Sequence, residues 1–379
     1  MAPELRKTRF VCVSDTHNSS PADGAFKLPK GDVLIHAGDL TKQGTFAELQ
    51  KTLDWIHQAD YEIKIVVAGN HDITLDQKFY SEHGPHFHNQ YPQVSQACIE
   101  LVQSYSSITI LNHDSAHIHL TKEDGPQTSF HVFGSPYSPA NGLWAFGYSP
   151  EDASKIWEYS IPLDTDVVVT HTPPKYHCDE SKDRRAAGCE ILREKLWRVR
   201  PHLAICGHVH EGRGAEIVLW DLETPNTRYK EALIEYWTDP STDNKKQSLI
   251  DLSAKSSKPL ENSGSWGDEE IPPLPIEEFT KELDSMSLRR WKSKERPAFT
   301  LKTLDDGHTS LYYEGIRGHG GIPPSGRCDM EALAGRMGRK ETCIINAAIT
   351  ASSWPYKPNN QRRYNKPIVV DIDLPVLQK

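Results

Sequence analysis

Five apolar runs constrain this chain most: RFVCVSD (9–15), DVLIHAGD (32–39), IKIVVAGN (63–70), DVVVTH (166–171) and LAICGH (203–208). Each is short and rich in β-branched residues, as buried strands are. None alternates apolar with polar, so each strand needs cover on both faces. Between the second and third runs, Phe46, Leu49, Leu53 and Ile56 recur at three- and four-residue steps, which predicts an amphipathic helix over 44–59. A second helix is predicted over 189–199, with Ile191, Leu192, Leu196 and Val199 facing the core. Strands alternating with helices mean an α/β fold. SITIL (107–111), HIHL (117–120) and SFHVFG (129–134) read as shorter, antiparallel strands.

The five runs lead into D-T-H (Asp15–His17), G-D (Gly38, Asp39), G-N-H-D (Gly69–Asp72), T-H-T (Thr170–Thr172) and G-H-V-H (Gly207–His210). In α/β sheets, ligands bind beyond the carboxyl ends of the strands. Motifs dispersed between Asp15 and His210 can therefore converge on one crevice. They offer Asp15, His17, Asp39, Asn70, His171, His208 and His210 as metal ligands. In an extended segment alternate side chains share a face, so Asp15 and His17 can reach one cation, and His208 and His210 repeat that spacing. Gly38, with no side chain, lets a carboxylate approach closely. A lone D-x-H occurs by chance; G-N-H-D followed by G-H-x-H, each behind a strand, is specific. This set is enough for two divalent cations side by side, and such a pair implies chemistry on phosphate esters.

Composition narrows the substrate. Of 379 residues, 37% are hydrophobic and the net charge is −9, so no global basic field exists to hold a long nucleic acid. Mean hydropathy is −0.59, which implies a packed core diluted by polar sequence. The cysteine count is odd, seven, with no C-x-x-C pair, which fits a reducing compartment. MAPELRKTRF lacks the apolar stretch of a signal peptide and no window reaches membrane-spanning length. The expectation is an intracellular, cytoplasmic protein with no membrane partner.

After about residue 237 the character changes. Residues 238–275 are rich in Ser, Lys, Asp and Pro without a sustained apolar period, so 238–300 is expected to be largely disordered. A short helix is expected over 277–288, followed by a basic patch, LRRWKSKER (288–296). Strand-like sequence resumes at TCIINAAI (342–349) and KPIVVDIDL (366–374). The predicted catalytic domain is therefore 1–237 with 341–379, interrupted by a polar insertion at 238–340.

On these motifs, with LPKGDVLIHAGDLTKQGT (28–45), KIVVAGNHDITLD (64–76), VFGSPYSPANGLWAF (132–146), CGHVHEGRG (206–214) and IINAA (344–348), the chain resembles the calcineurin-like metallophosphoesterase superfamily. It is most similar to the branch of metallophosphoesterase-domain-containing phosphodiesterases. The resemblance implies a four-layer α/β/β/α sandwich of two mixed sheets flanked by helices, with a dinuclear metal site at strand ends. It places one metal between Asp15, His17, Asp39 and His210. The other falls between Asp39, Asn70, His171 and His208, with Asp39 as bridge. His71 matches a non-ligand histidine near the leaving group, the candidate proton donor. A hydroxide bridging the metals would attack phosphorus in line, and His71 would protonate the departing alkoxide. Asp72 is expected behind the ligands or capping the following turn. The mixed nitrogen and oxygen set suits Mn, Fe, Zn, Co or Ni.

The resemblance implies small, cyclic-nucleotide-like phosphodiesters as substrates. A phosphomonoesterase is the nearest alternative, but GDLTKQG (38–44) lacks the G-D-x-x-D-R-G pattern of the protein phosphatase branch. A decayed site on a persisting fold, with 238–340 docking a protein partner, is the alternative from another class; retention of every ligand argues against it. Tyr137, Trp144 and His177 are the candidate pocket residues. For His177 a structural hydrogen bond is an equal alternative, and Tyr137 and Trp144 also read as packing aromatics. Arg184 and Arg185 are candidate phosphate contacts, with a solvated loop as the default. His83, His86, His88, His117 and His119 could bind metal, with solvated polar positions as the default reading.

Overall fold

The apolar runs become strands whose alternate residues face different cores. The computed structural model describes residues 4–158, 160–183, 186–221, 229–239, 247–260, 262, 339–351 and 363–377, and the backbone of 299–303 and 309–313. In chain order the strands are β1 Leu5–Val13, β2 Val33–Ala37, β3 Ile63–Val67, β4 Thr109–Leu111, β5 Asp114–His119, β6 Ser129–Ser135, β7 Ser138–Pro139, β8 Gly147–Tyr148 and β9 Val167–Thr170. They continue with β10 Leu203–Cys206, β11 Gly214–Trp220, β12 Glu231–Tyr236, β13 Ser248–Asp251, β14 Phe299–Thr303, β15 Thr309–Tyr313, β16 Glu341–Asn346 and β17 Ile368–Pro375. The helices are α1 Phe46–Gln58, α2 Gln77–Phe87, α3 Ser95–Ser104, α4 Ala153–Trp157 and α5 Glu190–Val199. Among the described residues no helix is long and apolar enough to cross a membrane.

One sheet runs β13-β17-β1-β2-β3-β4 and the other β12-β11-β16-β10-β9-β6-β5. Both are mixed. β1 to β4 are parallel, whereas β17 is antiparallel to β1. In the second sheet β16, β10, β9 and β6 are parallel, with antiparallel strands at either side. Phe10, Cys12, Ile35 and Ile65 of the first sheet meet Phe130, Val132, Val169 and Ile205 of the second in a core between the sheets. The alternate residues Val11, Val13, Leu34 and Val66 face outward onto Leu49, Leu53 and Ile56 of α1 and Val102 of α3. Phe133, Val168, Ala204 and Ile344 likewise face Leu192 and Leu196 of α5 and Trp157 of α4. This is the four-layer sandwich, and it explains why the strands are apolar throughout. Each fully buried Val, Ile or Leu contributes roughly 1.5–3 kcal/mol.

Helix α1 begins where the sequence signals it. The Thr45 hydroxyl accepts from the Glu48 amide and the Glu48 carboxylate accepts from the Thr45 amide, a reciprocal cap. Three expectations are corrected. β4 pairs with β3 in parallel, because α2 and α3 lie between them in sequence and permit a crossover. β5 and β6 are antiparallel to each other, but β6 is parallel to β9. Disorder through 238–300 does not hold at Ser248–Asp251, which pairs in parallel with β17 and buries Ile250 in the inter-sheet core. β14 and β15 pair as an antiparallel hairpin. The expected helix at 277–288 and the basic patch at 288–296 lie outside the described residues. β16 sits between β10 and β11 and β17 between β1 and β13, so residues from the C-terminal stretch complete both sheets.

Candidate metal centre

The carboxyl ends of β1, β2, β3, β9 and β10 converge, bringing Asp15, His17, Asp39, Asn70, His171, His208 and His210 together. Three sets of ligand atoms each gather within 4.8 Å: Asp15, His17 and His210; His17, Asp39 and His71; and Asp39, His171 and His208. The turns that aim them are tight. Asp15, His17, Asp39 and His208 all adopt left-handed backbone, with φ of 51°, 42°, 54° and 66°. That conformation costs a non-glycine residue about 1–2 kcal/mol and persists where surrounding structure enforces it. Gly38 sits at φ 95°, and a Cβ there would lie 2.3 Å from His171 Nδ1. Its missing side chain makes room for the imidazole, where the sequence suggested room for a carboxylate.

Asp39 lies between two imidazole groups. Its Oδ2 is 3.8 Å from His17 Nε2, and its Oδ1 is 3.4 Å from His171 Nε2. His210 Nε2 is 3.3 Å from both Asp15 Oδ1 and His17 Nε2. On the other side His171 Nε2 is 2.9 Å from Asn70 Oδ1 and 3.2 Å from His208 Nδ1. His17 Nδ1 lies 3.1 Å from the Thr41 carbonyl and His171 Nδ1 3.0 Å from that of Ala37. A carbonyl only accepts, so both Nδ1 atoms are donors and the inward Nε2 atoms are free to ligate. Each facing nitrogen pair is then held together only by a shared proton or a shared cation. The donor set therefore fits cations, and its grouping fits two with Asp39 between them.

The charges agree. Burial opposes ionisation of Asp39, but His171, His71 and His17 hold its carboxyl well below the usual range. Asp15 is likewise lowered to about 2, chiefly by His210 against the cost of burial. Burial would lower His171, yet Asp39 and Asp15 raise it to about 9. Burial pushes His17 down to about 4, and burial with neighbouring His171 pushes His208 down to about 3. The pocket thus draws positive charge toward Asp39 and His171, while burial favours the neutral rings of His17 and His208.

Asp72 locks the frame, as expected behind the ligands. Its carboxylate accepts from the amides of Leu40, Thr41 and Gly69 and from the Thr41 hydroxyl. It does not cap the following turn. Burial and Asp39 raise its carboxyl to about 6. Sequence reasoning missed two further braces. Thr41 orients His17 through its carbonyl and anchors Asp72 through its hydroxyl. Asn346 donates to the Val209 and Cys178 carbonyls, tying the G-H-V-H turn to the loop after β9. A polar residue at the end of an apolar run, within IINAA, was the available signal for Asn346.

His71 stands beside the centre. Its amide donates to Asp39 Oδ1 at 2.9 Å, and its Nδ1–H donates to the Lys42 carbonyl at 2.7 Å. Trp144 stacks on it, ring centroids 4.0 Å apart. The Ala145 amide donates to the Asn70 carbonyl and the Phe146 amide to Asp76, which holds the Trp144 loop over the site. Trp144 lines a shallow crevice together with Asn70, Ser138, Asn141 and His208. The other two pocket expectations differ. Tyr137 packs against Phe146 and His113, set back from the crevice lining. His177 is fully buried, hydrogen-bonded to Glu216 at 2.5 Å and Glu231 at 3.0 Å, so it takes the structural role. Of the two alternatives the sequence left open, the structure takes the second, because the loop turns the ring toward Glu216 of β11 and Glu231 of β12. Arg184 and Arg185 lie outside the described residues.

A family model described as calcineurin-like phosphoesterase matches residues 8–212. The chain is 36% identical over 210 residues to metallophosphoesterase domain-containing protein 1 of Homo sapiens, covering 55% of this chain and 62% of that one. It is 43% identical over 216 residues to a probable rhamnogalacturonate lyase C of Emericella nidulans, covering 56% of this chain but 18% of that protein. The chain thus spans less than two thirds of these curated relatives. A purple acid phosphatase from yellow lupin seeds aligns at 14% identity with a TM-score of 0.30, covering 60% of this chain and 41% of that one.

Proposed function

The chain belongs to the calcineurin-like phosphoesterase family, and on that premise we propose that it is a metal-dependent phosphodiesterase acting on small, cyclic-nucleotide-like diesters. One observation carries the reading: Asp39 turns one oxygen toward His17 and the other toward His171. Asp15, His17, Asp39 and His210 would hold one divalent cation, and Asp39, Asn70, His171 and His208 the other. Bound there, the two cations would supply Lewis acidity toward the phosphoryl group and activate water at neutral pH. The nitrogen and oxygen donors suit Mn, Fe, Zn, Co or Ni.

The protein's own groups do the rest. His71 keeps its Nδ1–H on Lys42, so in the imidazolium form its Nε2–H is the proton that would pass to the leaving oxygen. Trp144 offers an aromatic face in the crevice beside Asn70 and His208, which supports a substrate bearing a planar base. Net charge −9 favours a small ester over a polynucleotide.

Purified protein would be assayed with Mn²⁺ on bis(p-nitrophenyl) phosphate, p-nitrophenyl phosphate and cyclic nucleotides, beside Asp39→Ala. Diester turnover that vanishes in Asp39→Ala is the expected result. Faster turnover of the monoester would reject the diesterase reading, and no metal-dependent turnover on any ester would reject the enzyme.

A further inference from the structure

Away from this centre, the edge of the second sheet carries three histidines on one surface. β5 is the edge strand, and His117 and His119 alternate with Ile118, which is buried in the inter-sheet core. Both imidazoles therefore point outward. In register, His117 lies directly opposite His131 of β6. His131 is flanked by Phe130 and Val132, both in the inter-sheet core, so it faces the same way. The ring of His117 is 4.2 Å from that of His119 and 4.1 Å from that of His131.

We propose that His117, His119 and His131 form a second, surface metal site that binds one borderline divalent ion of the Zn²⁺, Cu²⁺ or Ni²⁺ class. Cross-strand neighbours place their Cβ atoms about 4.5–5.5 Å apart, within the reach of two imidazoles that share an ion. Same-face neighbours on one strand add the third. His131 is the anchor. Its Nδ1 lies 3.0 Å from Asp164 Oδ2, so Nδ1–H donates to the carboxylate and the Nε2 lone pair is left outward. A carboxylate behind a histidine fixes the tautomer and raises ligand basicity. The backbone is also fixed, because the His131 amide donates to Asp166 Oδ2 at 2.7 Å. Burial and the neighbouring His131 and His119 lower the pKa of His117, which favours the neutral, ligating ring. His117 and His119 are exposed, and binding one ion would require their rings to turn so that their nitrogens meet that of His131. An all-imidazole set selects Zn, Cu or Ni over Mg or Ca.

The test counts metal on the intact chain. Wild type, His117→Ala/His131→Ala and His119→Asn would be equilibrated with buffered Zn²⁺ and analysed for bound metal. Copper-loaded samples would be read by electron paramagnetic resonance for nitrogen coupling. Wild type should hold one equivalent more than either variant, and the variants should keep their circular dichroism and any phosphoesterase activity. Equal zinc content in all three proteins, with unchanged copper spectra, overturns the site. If the double variant does not fold, His119→Asn decides alone, since its side chain points into solvent. The count does not depend on turnover, so failure of the phosphodiesterase reading leaves this result legible.

Discussion

The indole of Trp144 lies 4.0 Å from the imidazole of His71, with the ring planes 34° apart. The stack joins the candidate proton donor to the crevice wall. Stacking a base on an aromatic ring is worth roughly 1–3 kcal/mol. Trp144→Ala should therefore raise KM for a cyclic nucleotide about tenfold, with metal content unchanged. Steady-state kinetics check it; an unaltered KM would show that the indole only packs.

His71→Asn should keep both metals and lose about 10²–10⁴-fold in turnover, the usual worth of a positioned general acid. The loss should be largest for alkyl diesters and smallest for p-nitrophenyl esters, whose leaving group needs little protonation. A uniform loss across leaving groups would count against proton donation.

Asp39→Ala should cost more than loss of any other ligand, because both imidazole groups close on this carboxylate. Metal analysis should find both cations depleted. Full occupancy of either one would remove Asp39 from the bridging position.

Asp72 is a prediction about stability. The Asp72 carboxylate accepts four hydrogen bonds, all from donor groups of the two loops. In Asp72→Asn the new amide NH₂ meets donors, and each buried group left unsatisfied costs about 1–3 kcal/mol. Calorimetry should show a lowered Tm; a Tm equal to wild type would mean that the two loops hold without this carboxylate.

The His177–Glu216–Glu231 cluster sets a pH window. Burial opposes charging of His177, but the two carboxylates raise its pKa above 6.5. Its contribution to stability is therefore complete below pH 6.5 and disappears as pH rises through the raised value. Burial opposes ionisation of Glu231, but His177 and Arg193 lower it from 4.5 to about 2. That contribution is complete above pH 4.5 and disappears as pH falls toward 2. Urea unfolding of wild type and His177→Gln should differ most between these limits and converge at alkaline pH. A difference independent of pH would show that the cluster acts through packing alone.

Much of the architecture was legible in the chain because its signals are local. Val11 and Val13 against Phe10 and Cys12 could be read as two-faced strands, and the stripe of Phe46, Leu49, Leu53 and Ile56 marked α1. The ligand motifs were legible because residue type and spacing carry their chemistry. The rest depended on partners distant in sequence. The parallel pairing of β4, the edge strand at Ser248–Asp251 and the Asn346 brace each require a neighbour that no local window contains.

By itself, the sequence determined which side chains can ligate and that they sit at strand ends, since periodicity and residue chemistry are properties of short stretches. Only the tertiary structure decided how they divide around Asp39, that His177 points away into carboxylates while Trp144 covers His71, and that His131 meets His117 across two strands. Those outcomes follow from sheet order and register, which long-range packing selects and no single segment encodes.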